Sequence, residues 1–144
     1  MPNDDTIKLL IECNSGIRMG VDGINEVIDH VENKELLDIL NKYLQDHKKL
    51  GDKTHQYLNK FHDDAKDPNP LAKAMSVIKV NLKMIQGNKD EHIADLMTDG
   101  CNMGIKSIAK YLNKYPNALD EIKSIAYDVI KLEENFQLDL RKFL

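Results

Sequence analysis

Proline is scarce in this chain, with four residues at positions 2, 68, 70 and 116. Long stretches therefore keep every backbone N–H available, as long helices require. Cysteine is scarcer still: Cys13 and Cys101 stand alone, with no Cys-x-x-Cys and no cysteine–histidine cluster. That excludes a disulfide framework and a zinc knuckle, and leaves two reduced, buried thiols as the expectation. No apolar run approaches the ~20 residues that cross a bilayer, so no membrane contact is expected. The opening "MPNDDTIKLL" lacks the basic flank and apolar stretch of a signal peptide, which makes a cytoplasmic location the expectation. A net charge of −4 argues against a protein that tracks phosphates, so no nucleic-acid partner is expected either. No segment alternates with period two over any length, so no strands are expected. No Ser/His/Asp or Cys/His spacing marks a nucleophile, and no glycine-rich loop follows a strand.

What is present is helical periodicity in a chain of 144 residues, 42% hydrophobic and 31% charged, the size of one domain spanning 1–144. From Thr6 to Val31, residues Ile7, Leu10, Ile17, Val21, Ile24, Ile28 and Val31 recur in steps of three and four. Asn14 fills the slot in that stripe between Leu10 and Ile17. Asn33 is placed to cap a second helix over Lys34–Phe61, with stripe Leu40, Leu44, His47, Gly51, Thr54, Leu58 and Phe61. The polar "HDDAKDPNP" breaks the pattern, and a shorter amphipathic helix follows over Leu71–Gln86. A further helix runs from Asp90 to Tyr115 and stops at Pro116. The last, with Asn117 as the expected cap, carries Ile122, Ala126, Val129, Glu133, Phe136, Leu140 and Phe143 on one face. Phe136, Leu140 and Phe143 suggest either a docked terminus or a face for self-association into a homo-oligomer.

Two hairpins joined by ~25 partly helical residues make an all-α four-helix bundle with one long crossover containing a short fifth helix. The hexapeptides "CNSGIR" (Cys13–Arg18) and "CNMGIK" (Cys101–Lys106) open the first helix of each hairpin. They predict an antiparallel helix crossing with Gly16 beside Gly104. Glycine inside a helix costs ~1 kcal/mol relative to alanine, and close contact is the simplest reason to keep it.

The stretches "PNPLAKAMSVIKVN" and "MTDGCNMGIKSIAKYLN", set in this architecture, resemble the ferritin-like superfamily, in particular its small bacterial single-bundle proteins. The resemblance covers nearly the whole chain and implies a fold more than an activity. Di-iron members of that class place a glutamate on each of two helices and Glu-x-x-His on each of the other two. Here the nearest counterpart is "DKTH", an Asp-x-x-His over Asp52–His55, while "LEENFQL" on the last helix has acids but no histidine. If the hairpins turn near Asn33 and Pro116, one layer gathers Asn14, Thr54, His55, Asn102 and Glu133.

Such a layer is read first as a buried polar network within a degenerate di-iron site, in a bundle that binds or supports rather than catalyses and needs no cofactor. The alternative is one divalent metal (Fe, Mn or Zn) on Asp52, His55 and Glu133, in a protein that handles oxygen or peroxide species. Glu133 needs a partner in either case, because an unpaired buried carboxylate is very costly. His47, alone on its apolar stripe, is read as hydrogen-bonded structure.

Overall fold

The computed structural model describes residues 2–61 and 88–144, and all regular structure among them is helical. Helix α1 spans Asp4–Val27 and runs into a 3₁₀ turn, Ile28–His30. Helix α2 spans Lys34–Lys60, α3 Lys89–Lys114 and α4 Asp120–Leu140, with a final 3₁₀ turn at Arg141–Phe143. The helix expected over Leu71–Gln86 lies outside the described residues.

Local chemistry sets the starts of these helices. Asn3 caps α1, its Oδ1 accepting from the Thr6 N–H at 2.9 Å, with Asp4 and Asp5 favourably placed in the positive first turn. Asn33 and Asn88 cap α2 and α3 in the same way, accepting from Leu36 and Glu91. Helix α4 departs from expectation. Asn117 does not cap it; the N-cap is Leu119, which has no side-chain cap of its own. Its N–H donates instead to Thr6 Oγ1 at 2.9 Å, while the Asn117 N–H donates to Asp5 Oδ2 at 3.0 Å. The start of α4 is thus capped by the first turn of α1.

These bonds also fix the topology. The Asp90 carboxylate accepts from the N–H groups of Glu32 and Asn33 at 2.9 and 3.0 Å, so α3 begins at the corner between α1 and α2. Helix α4 begins where α1 begins. Helix α2 therefore ends at the opposite end of the bundle from the start of α3, and α1 and α3 are antiparallel neighbours. This is the four-helix arrangement of two antiparallel hairpins that the periodicity implies.

The core falls into two apolar clusters. One, toward the α1–α2 corner, includes Ile24, Leu36, Leu40, Tyr43, Ile93 and Phe136; the other includes Leu9, Ile17, Leu58, Ile108, Ile122 and Ile125. Phe136 and Leu140 are buried in the first cluster and Phe143 packs against it, so the carboxyl end is docked on its own bundle. No described helix is long and apolar enough to cross a membrane.

Candidate functional site

Between the two apolar clusters lies one polar layer to which each helix contributes. His47 on α2 is fully buried, and its Nε2 lies 2.5 Å from Oε1 of Glu133 on α4. Its Nδ1 lies 2.6 Å from the Tyr43 carbonyl, one turn back on α2. A carbonyl only accepts, so Nδ1 carries a proton and donates it. Nε2 and the carboxylate then share a second proton. Burial works against a charged ring, but the hydrogen bond and charge of Glu133, followed by the Tyr43 carbonyl and Asp46, outweigh it, and His47 titrates above the ordinary histidine value.

On the other two helices glycines face this pair, and one of them is needed for space. A Cβ on Gly20 of α1 would stand 2.5 Å from His47 Cδ2 and 2.7 Å from its Nε2. A Cβ on Gly104 of α3 would meet Glu133 Cγ at 3.6 Å, an ordinary contact. The imidazole therefore lies flush on bare α1 backbone. Phe136 presents its ring edgewise to His47, with centroids 6.1 Å apart, and stacks on Tyr43 at 4.5 Å. The Tyr43 hydroxyl in turn donates to Asp139 Oδ2 at 2.5 Å. Cys101 of α3 adjoins Glu133: burial first, then the carboxylate's charge and hydrogen bond, push its thiol upward. Cys13 is pushed up to about 12 by burial and by Glu12. Both cysteines are free and buried.

The residues singled out from sequence are distributed differently from the expected layer. Glu133 is buried and finds its partner in His47, not in His55. Asp52 and His55 are exposed, at the rim between α1 and α2, and the trio Asp52, His55 and Glu133 does not converge. Asn102 is exposed as well, because its neighbour Cys101 takes the inward position and one residue turns a helix by about 100°. The connection from α3 to α4 runs through 115–119 rather than turning at Pro116, which slides α4 by about one turn and sets Gly104, not Asn102, against Glu133.

Gly16 and Gly104 do not face each other either. Gly16 lies against Ile108, and the bond between Asp90 and Glu32 agrees with that register. The α1 glycine level with Gly104 is Gly20. Thr54 is buried, but its hydroxyl donates back to the carbonyls of Leu50 and Gly51 at 2.9 Å each, so it satisfies itself within α2. Asn14 is 2% exposed, and its Oδ1 has no hydrogen-bond partner.

Asn14 opens onto a cleft of about 340 Å³ between α1 and α2. Ile17, Arg18, Val21 and Asp22 line it from α1, and His47, Lys48, Gly51, Asp52 and His55 from α2. The sequence signal for it was Asn14 itself, a polar residue in an apolar stripe, together with Gly51 facing that stripe. A Cβ on Gly51 would come within 3.3 Å of Ile17 Cγ2, so its absence lets the helices approach.

The geometry matches the architecture of a solved protein. A DUF305 fragment from Deinococcus radiodurans superposes with a TM-score of 0.79, covering 98% of this chain and 95% of its own. Identity between the two is 7%, so the likeness is one of fold alone. No family model matches the sequence, and neither does any curated protein.

The donor set at the bundle centre differs from the one that a ferritin-like resemblance implies. Both ring nitrogens of His47 are engaged, Glu133 is the carboxylate that meets it, and Gly20 and Gly104 offer no ligand. Among the described residues no three His, Cys, Asp or Glu side chains come together to hold a metal ion. A di-iron centre needs four carboxylates and two histidines. The described residues do not fit it.

Proposed function

We propose that this chain is a ferritin-like bundle that works by binding rather than by catalysis, with its central polar layer serving as an internal lock. One observation carries this reading: His47 and Glu133 close on each other in the layer between the two core clusters, with both imidazole nitrogens used. A buried ion-paired layer of this kind fixes register between α2 and α4, because sliding either by one turn would strand a charge in an apolar cluster. The bundle interior is then committed to structure, and recognition falls to the outside.

The test is thermal unfolding of the parent and of Glu133→Gln, each with and without Fe(II), Mn(II) or Zn(II). Stabilisation by a metal requires preferential binding to the folded state. No metal-dependent shift is expected in either protein. A stoichiometric shift in the parent that Glu133→Gln loses would overturn the lock and support a divalent-metal centre for oxygen or peroxide handling in its place.

A further inference from the structure

The face of α4 turned away from the core carries more than solvated charge. Tyr127 and Leu138 are 60% and 52% exposed in the body of the helix. Lys131 and Glu134, between them, are exposed as well. The four follow one another in steps of four, three and four, which places them in one stripe about 16 Å long. Among the described residues, neither Lys131 nor Glu134 enters an ion pair. Phe136 and Leu140, on the opposite side of the same helix, are taken by the core.

The stripe reads apolar, basic, acidic, apolar, and it is complementary to its own reversal. A two-fold axis midway between Lys131 and Glu134, perpendicular to α4, sets Tyr127 against the partner's Leu138. The same axis sets Lys131 against the partner's Glu134, and every contact occurs twice. Other arrangements of these faces bring like charges together. Parallel packing sets Lys131 against the partner's Lys131 and Glu134 against the partner's Glu134. Sliding the antiparallel pair by three residues does one or the other, according to direction. Like charges facing each other across a contact are costly, so charge selects one direction and one register.

We propose that this stripe is the contact face of a homodimer, with α4 packed antiparallel on α4 of a second copy. Tyr127 and Leu138 lose water at both ends of the contact and supply its apolar part. The two pairs between Lys131 and Glu134 at its centre set orientation. One helix face on another is a small contact, so the dimer is transient, with a Kd on the order of 100 μM.

This inference rests on the reading that recognition falls to the outside of the bundle, but the two fail separately. A metal shift dependent on Glu133 is read in melting, and association is read in sedimentation. The test is sedimentation equilibrium of the full chain from about 10 μM to about 1 mM. Parent, Lys131→Glu, Glu134→Lys, the double exchange of both charges and Leu138→Ser are compared, each first shown by circular dichroism to keep the parent's helix content. The parent should pass from monomer to dimer over this range. Each single charge reversal and Leu138→Ser should weaken association by at least about tenfold, and the double exchange should return it to within about threefold of the parent. The two reversals move the net charge of −4 in opposite directions, so a loss common to both reports the pair and not bulk repulsion. If the parent stays monomeric at the highest concentration, if either reversal leaves the dimer intact, or if the double exchange does not restore it, the proposal is wrong.

Discussion

The sharpest consequence of the polar layer concerns one hydrogen atom. Replacing Gly20 by alanine puts a methyl group 2.5 Å from His47 Cδ2 and 2.7 Å from Nε2, well inside van der Waals contact. The ring cannot swing aside cheaply, because Tyr43 and Glu133 hold its two nitrogens and Phe136 abuts it. Overpacking of this kind costs about 1–3 kcal/mol, and displacing the ring forfeits a charged hydrogen bond of about 1.5–3 kcal/mol. Alanine's better helix propensity returns about 1 kcal/mol. The net expectation is a loss of about 1.5–5 kcal/mol, or roughly 5–15 °C in melting temperature for a chain of this size. Gly100→Ala is the control, since Gly100 is exposed and a Cβ there meets nothing within 4 Å. It should stabilise by about 0.5–1 kcal/mol. Differential scanning calorimetry of the two variants beside the parent decides the matter. A Gly20→Ala protein that melts at or above the parent would refute the close approach of His47 to α1.

The titration of the buried pair gives a second expectation. A histidine whose folded value is raised contributes stability that is complete below about pH 6.5 and lost as pH rises through that raised value. Urea midpoints of the parent should therefore fall on the alkaline side. In Glu133→Gln burial dominates and lowers the His47 value, so the slope should reverse, with stability lost toward acid; an unchanged slope would dissociate His47 from Glu133. Tyr43→Phe removes the hydroxyl that donates to Asp139 and should cost about 1.5–3 kcal/mol in chemical denaturation, whereas a neutral result would make that bond ornamental. Cys13 and Cys101, both buried and both shifted toward the protonated thiol, should resist an aromatic disulfide reagent at neutral pH until denaturant is added. Rapid labelling of the native protein would show that one of the two clusters opens.

Apolar periodicity alone marks out these helices, because a stripe in steps of three and four reports the buried face of a helix whatever that face packs against. It places α2 and α3 within a residue of their observed bounds, and it puts His47 and Glu133 inside the bundle without any knowledge of neighbours. The need for a partner at Glu133 follows in the same way, from the cost of burying a charge. Which residue supplies that partner is a matter of register, and register is set by contacts between helices. The first hairpin is tight, through Val31 to Asn33, so counting back from its corner does set Gly20 against His47. The second turns through five residues, and an error of one turn there brings Gly104 rather than Asn102 to the level of Glu133, while Asn102 is exposed because it lies one residue round from the inward-facing Cys101. The repeated hexapeptide misleads for a related reason: Gly16 and Gly104 are equivalent in sequence, but the antiparallel approach of α1 and α3 aligns Gly104 with Gly20. A helix records in its own residues which face is buried, since burial is a property of each side chain. It does not record its height against a neighbour, because shifting by one turn presents an almost identical apolar stripe. Only the packed bundle decides that height, and here it sets His47 against Glu133, with the bare backbone of Gly20 against the imidazole.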